Sequence, residues 1–199
     1  QLGPDAADSV AAEMDKITDL PGVIAGSLSL EAARQTSLWQ DMGADLDAAY
    51  DAALLQKSLQ GNIVGEYADL PLVYTPLYGT GNKPVRRILK KCGFKNIHVV
   101  SEQELPNGNF PTTPFPNPEL PETLNLAIEL AKELKAPLVM ATDPDADRVG
   151  IAVPREDGSY YTFLGNEIGI LLLDYILSTK KNLGILPEKS FVVSSIVSG

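Results

Sequence analysis

The sequence has little of several residue types, and each shortage argues against a class of protein. Its 199 residues include one cysteine, Cys92, so no disulfide can form within the chain. The longest apolar run, residues 168–173, stops at Asp174 and is far shorter than the ~20 residues of a membrane-spanning helix. No basic and then apolar signal segment opens the sequence. We therefore expect no membrane partner and a cytoplasmic location.

Positive charge is also scarce. Sixteen lysines and arginines face 26 aspartates and glutamates, which gives a net charge of -10. Such a surface repels phosphate backbones, so we expect no nucleic-acid partner. A small phosphorylated metabolite can still bind if a metal ion or local arginines neutralise its charge.

Apolar runs of strand length alternate with helical patterns after residue 69. The predicted strands lie at 70–75, 96–100 and 137–142, and the predicted helices lie between them at 82–93 and 121–136. A hairpin of VGIAVP and SYYTFL follows and would make the sheet mixed. The order predicts an α/β protein, namely a three-layer α/β/α sandwich with a mixed sheet.

Helical patterns precede this region, and the start of a further unit follows it. Residues 5–18 and 44–59 predict helices, residues 165–177 begin another helix, and residues 190–197 have a buried-strand pattern. We expect residues after about 160 to be part of a second, similar α/β unit. Because a buried strand is a poor natural terminus, we expect the chain to be a piece of a longer protein.

The segment ATDPDADRVG (141–150) follows a predicted buried strand and carries three alternating carboxylates, Asp143, Asp145 and Asp147. Ligands of open α/β sheets gather at the carboxyl ends of strands. If the loop curls, the three side chains can converge. Three oxygen ligands suit a hard cation, and Mg²⁺ is the expected one.

Other interpretations of the acidic segment stay open. It could be a solvated acidic turn, the metal site of an Asp-x-Asp glycosyltransferase, or a metal-binding module without chemistry. An EF-hand fits poorly, because Arg148 and Pro154 stand where that loop needs glycine and glutamate. Arg148 could bind phosphate oxygens beside a metal, or simply pair with Asp147.

Several segments together resemble one enzyme family. ATDPDADRVGIAV resembles the metal-binding loop of the α-D-phosphohexomutases, the phosphoglucomutase and phosphomannomutase family. TPLYGTGNKPVRRIL, EQELPNGNFPTTPFPNPE and FLGNEIGILLLDYIL resemble flanking segments of its bacterial phosphoglucomutase branch. The resemblance covers essentially all of the chain.

The resemblance implies a four-domain enzyme in which a phosphoserine exchanges its phosphoryl group with a hexose phosphate. Glucose 1-phosphate and glucose 6-phosphate would interconvert through glucose 1,6-bisphosphate, and mannose phosphates are the alternative substrates. It also implies that Asp143, Asp145 and Asp147 hold Mg²⁺ with the phosphoserine, and that Arg148 lies near the phosphoryl group.

The resemblance also predicts how the chain divides. Residues 1–39 would be the tail of the first domain and a linker, 40–160 the second domain with the metal loop, and 161–199 the beginning of the third. No Thr-Ala-Ser-His-Asn type nucleophile loop occurs in the sequence. We therefore expect the chain alone to be inactive and to need the remaining domains of its parent as partners.

Three further features have ordinary structural interpretations. The glycine turn YGTGNKP (78–84) is predicted to be structural, although such turns can bind phosphate. His98, within an apolar strand, is predicted to be packed and hydrogen-bonded. A basic patch in residues 83–95 is predicted to be a solvated helix face; it consists of Lys83, Arg86, Arg87, Lys90, Lys91 and Lys95.

Overall fold

The fold is described from a computed structural model that covers residues 3–37, 39–61 and 63–194. The chain divides into two compact units, Gln1–Asp47 and Ala48–Gly199. The first unit contains short helices, whereas the second contains the sheet and the acidic segment.

Five strands form one mixed sheet. They are β1 (Leu72–Thr75), β2 (Ile97–Val99), β3 (Leu138–Thr142), β4 (Val149–Pro154) and β5 (Tyr160–Thr162). Their spatial order is β2-β1-β3-β4-β5. β1 pairs in parallel with β2 and β3, while β4 runs antiparallel to β3 and β5 antiparallel to β4. The predicted mixed sheet and its hairpin are therefore confirmed.

Eight α-helices are described. They are α1 (Pro4–Met14), α2 (Leu20–Ala25), α3 (Leu30–Arg34), α4 (Ala44–Leu55), α5 (Ile63–Glu66), α6 (Asn82–Cys92), α7 (Asn125–Leu134) and α8 (Gly165–Asn182). α6 ends at Gly93, which adopts a left-handed φ of 114° as the predicted stop signal requires. The helix predicted over 121–136 begins with a separate 3₁₀ turn, Pro121–Leu124. None of the helices in the described ranges could cross a membrane.

The hydrophobic core lies between the sheet and α7, which packs on β1 and β3. Val73 and Val139 of the central strands are fully buried, as are Ala127 and Ala131 of the helix. Alanine side chains let the helix axis approach the strands closely, so the valines fill the space between them. The packing of α7 thereby holds β1 and β3 in place on the face of the sheet that is turned toward the helix.

A buried ion pair joins α4 to α6. The Asp51 side chain is 1% exposed and accepts two hydrogen bonds from Arg87, from Nε at 2.6 Å and from a terminal nitrogen at 3.0 Å. Lys91 Nζ lies 2.8 Å from the same carboxylate. Hydrogen bonds from Arg87, then from Lys91, lower the pKa of Asp51 to about 2. The α4 helix is therefore anchored through one carboxylate held by two cations.

The strand predicted at 190–197 is wrong over the part that the structure describes. Residues 190–194 have no regular structure, and residues 195–197 lie outside the described residues. Phe191 and Val193 are 86% and 82% exposed. A strand needs a neighbour to accept its backbone hydrogen bonds, and no described strand lies beside this segment.

Candidate metal centre

The acidic segment is the loop of the β3–β4 hairpin. Thr142, the last residue of β3, pairs with Val149, the first residue of β4, so residues 143–148 close the turn. Within it the Ala146 backbone N–H donates to the Asp143 carbonyl at 3.0 Å, and Ala146 has a positive φ of 61°. This local turn supplies the curl that convergence of the carboxylates requires.

The structure brings the three predicted aspartates together. One carboxylate oxygen from each of Asp143, Asp145 and Asp147 lies within 4.8 Å of the others. Asp143 is 1% exposed, while Asp145 and Asp147 are open to solvent. Oxygen atoms from carboxylates, with solvent access for further ligands, are the donor set that Mg²⁺ prefers. The residues therefore fit the predicted metal.

Arg148 fixes the buried carboxylate. Its backbone N–H donates to Asp143 Oδ1 at 3.0 Å, and its Nε–H donates to Asp143 Oδ2 at 2.7 Å. Asp147 Oδ1 lies farther from the same Nε, at 3.8 Å. The main partner of Arg148 is thus Asp143 rather than Asp147. Each oxygen of Asp143 keeps a second lone pair that a cation can use.

The loop carries uncompensated negative charge. Burial raises the pKa of Asp143, but the hydrogen bonds and positive charge of Arg148, together with a hydrogen bond to Asp145, outweigh burial, so the net shift is downward. The charges of Asp145 and then Asp143 raise the pKa of Asp147, because neighbouring carboxylates repel each other. One arginine therefore faces three carboxylates, and a bound cation would relieve their repulsion.

The glycine turn contacts the acidic loop, which sequence reasoning did not predict. The Thr80 backbone N–H and hydroxyl both donate to the Pro144 carbonyl, at 2.8 and 3.2 Å. Beneath the loop, the buried hydroxyls of Tyr74 and Thr142 lie 2.8 Å apart. The pair of glycines flanking Thr80 was the available sequence signal, but the partner segment is more than 60 residues away.

A groove of about 380 Å³ opens beside the carboxylates. One wall comes from the proline-rich loop of residues 105–118, and the lining residues are Phe115, Pro116, Asn117, Asp143, Pro144, Asp145 and Arg148. Phe115 is 76% exposed. Residues 105–118 are rich in proline, but no pattern in the sequence indicates that they lie beside the aspartates. An apolar wall next to ionic groups suits a ligand that has a ring and a charged substituent.

The other predicted features have mixed outcomes. His98 is hydrogen-bonded as predicted, with Nε2 2.7 Å from Asn96 Oδ1. The interpretation of the basic patch as a solvated face is wrong for Arg86 and Arg87, which are half-buried in ion pairs, whereas Lys91 is exposed. Arg87 and Lys91 bind Asp51, and Arg86 pairs with Glu104. These cations face acidic groups that lie far away in sequence, so helical spacing alone could not reveal them.

The fold and the loop define a class: an α/β domain with an acidic, cation-compatible loop at a strand end. Residues 38–158 match the family model of phosphoglucomutase/phosphomannomutase, α/β/α domain II. The chain belongs to the phosphoglucomutase/phosphomannomutase family. The family resemblance and the α/β sandwich fold predicted from the sequence are therefore confirmed.

The relatives are considerably longer than the chain. A phosphoglucomutase of Staphylococcus haemolyticus is 39% identical over 155 residues, which are 77% of this chain and 27% of that protein. A phosphomannomutase of Mycoplasmoides pirum is 34% identical over 183 residues, 92% of this chain and 32% of that protein. The chain thus spans about a third or less of the length of these curated relatives.

One solved structure supports the same fold. A protein of Thermus thermophilus that bears a phosphomannomutase name is 25% identical and superposes with a TM-score of 0.52. The match covers 67% of this chain and 29% of that one.

Proposed function

We propose that the chain contributes the metal loop of a phosphoserine-dependent phosphoglucomutase, which interconverts glucose 1-phosphate and glucose 6-phosphate through glucose 1,6-bisphosphate. The observation that carries the proposal is the convergence of three carboxylates in the β3–β4 hairpin loop, inside the segment that matches domain II of the family. The remaining domains of the parent protein would supply the phosphoserine and the other substrate contacts.

In this proposal Asp143, Asp145 and Asp147 hold Mg²⁺. The ion would supply positive charge that neutralises a transferring phosphoryl group. Asp143, held by Arg148, sets the buried end of the site. The two exposed aspartates can adjust to the cation, because neither is fixed by burial.

Arg148 is proposed to contact the phosphoryl group. Its bond to Asp143 uses the Nε–H, and its side chain is 52% exposed. Guanidinium has five N–H donors, so the terminal nitrogens can donate to phosphate oxygens while Nε keeps its partner. Asp143 raises the pKa of Arg148, so the guanidinium stays charged.

The finer assignments are part of the same proposal. The division into residues 1–39, 40–160 and 161–199 stays a prediction. Strand β5 (Tyr160–Thr162) runs across the predicted boundary between residues 160 and 161. Inactivity of the chain alone and a cytoplasmic location also stay predictions. Phosphomannomutase is the second candidate, because relatives of both names match the chain.

The test is a coupled assay on the full-length parent protein, following glucose 1-phosphate to glucose 6-phosphate with Mg²⁺. We expect Asp145→Ala to lower turnover by at least about 100-fold, because it removes a proposed metal ligand. Asp69→Ala, an exposed aspartate before β1, is the matched control and should keep the wild-type rate.

Each other outcome has a defined meaning. If Asp145→Ala keeps the wild-type rate, the loop is only a turn and the site assignment is wrong. If the parent protein turns over mannose phosphates and not glucose phosphates, the substrate assignment changes to phosphomannomutase. Turnover by the 199-residue chain alone would contradict the predicted need for the other domains.

A further inference from the structure

We infer that the turn of residues 77–81 is a positioning element that holds the acidic loop in its metal-binding shape. The inference rests on the proposed function and extends it to residues that carry no ligand atom. The turn follows β1 and the acidic loop follows β3, two adjacent parallel strands, so both begin at the same edge of the sheet.

The first contact is a pair of hydrogen bonds to one atom. Thr80 directs its backbone N–H and its hydroxyl at the carbonyl oxygen of Pro144, at 2.8 and 3.2 Å. Pro144 lies between Asp143 and Asp145. The orientation of the Pro144 carbonyl therefore helps to determine the position of the Asp145 side chain relative to the buried Asp143.

The second contact is a close approach that only glycine permits. A Cβ atom built on Gly79 would lie 2.4 Å from Pro144 Cα and 2.5 Å from Pro144 O. One built on Gly81 would lie 2.6 Å from Thr142 Oγ1 and 2.8 Å from the Tyr74 hydroxyl. At Gly79 the obstructing atoms are backbone, so a methyl group there must displace the acidic loop or the turn.

The turn itself is held in an unusual conformation. Leu77 and Tyr78 are not glycines, yet they have positive φ angles of 48° and 65°. Both are buried, and the Tyr78 N–H donates to the Gln103 carbonyl at 2.8 Å. Residues are kept in such sparsely populated regions where the surrounding structure determines them strongly, often beside functional sites. The turn is therefore a fixed support against which the acidic loop lies.

The experiment measures cation binding to the full-length parent protein, with Mn²⁺ as an EPR-visible probe of the Mg²⁺ site. Free Mn²⁺ is titrated against wild type, Gly79→Ala and Gly108→Ala, and the folded fraction of each is checked by circular dichroism. We expect Gly79→Ala to weaken binding by at least about 10-fold, because the loop must shift. Gly108→Ala is the matched control and should bind like wild type, since nothing lies within 4 Å of its added methyl group.

Thr80 variants decide the question if Gly79→Ala does not fold. Thr80 is exposed, so Thr80→Val keeps the side-chain shape without disturbing the core. It removes one hydrogen bond to Pro144 and should weaken binding by about 3-fold. Thr80→Ser keeps the hydroxyl and should restore wild-type affinity.

Failure of the inference differs from failure of the proposed function. If wild type binds Mn²⁺ no more tightly than Asp145→Asn, the proposed metal site is wrong and the inference falls with it. If wild type binds and Asp145→Asn does not, but folded Gly79→Ala and Thr80→Val match wild type, only the positioning role of the turn is overturned.

Discussion

Two buried aspartates in this chain have the same local chemistry and opposite surroundings. Asp51 and Asp143 are each 1% exposed, and each accepts a hydrogen bond from an arginine Nε, at 2.6 and 2.7 Å. Around Asp51 two cations face one carboxylate. Around Asp143 one cation faces three carboxylates.

The comparison teaches that burial and ion pairing alone do not identify a candidate ligand site. At Asp51 the charges are more than balanced within the protein, so the group can act as a structural link between helices. At Asp143 the imbalance leaves a role for an external cation. Local charge balance distinguishes the surroundings of Asp51 from those of Asp143. It also determines whether a substitution there is expected to lower or raise the melting temperature.

The largest expected effect is on stability at Asp51. Asp51→Asn would leave Arg87 and Lys91 without their carboxylate, so we expect the melting temperature to fall by roughly 5 °C or more. Thermal unfolding followed by circular dichroism measures it. Asp69→Asn, at an exposed position, is the control and should unfold like wild type. An unchanged midpoint in Asp51→Asn would show that the link contributes no stability.

A smaller effect is expected in the pH dependence. Folding lowers the pKa of Asp51 from 3.8 to about 2, so its contribution is fully present above 3.8 and is lost as the pH falls through about 2. The difference in melting temperature between wild type and Asp51→Asn should therefore be constant at neutral pH and shrink between pH 4 and 2. A difference that stays constant down to pH 2 would contradict this assignment.

The smallest expected effect has the opposite sign and lies in the acidic loop. Asp147→Asn removes a carboxylate whose pKa its neighbours raise, so without divalent cations we expect a rise in melting temperature of roughly 1–2 °C at pH 7. The rise should disappear as the pH falls through the raised pKa of Asp147, because the wild-type carboxyl is then also neutral. Saturating Mg²⁺ should reverse the order and favour wild type. A destabilised variant without metal would mean that the three charges are already balanced.

Features that depend only on residues close together in the sequence are predicted well. The strands and the stop of α6 at Gly93 follow from local patterns, and the convergence of the aspartates follows from a loop of alternating carboxylates at a strand end. Contacts between distant segments are not encoded in this way. The Asp51–Arg87 link and the Thr80–Pro144 contact join residues 36 and 64 positions apart. The strand predicted at 190–197 fails in its described part for a related reason, because pairing needs a partner strand as well as a β pattern.

The pairing of Thr142 with Val149 also restricts how the acidic loop can diverge among related sequences. The hairpin fixes both ends of residues 143–148. One inserted residue that the turn did not absorb would slip β4 by one position, which would rotate the buried Ala152 out of the core and carry β5 with it. Replacements within the loop are compatible with the sheet, whereas changes of length that the turn does not absorb are not. Related sequences should therefore differ in the residue types of this loop more than in its length.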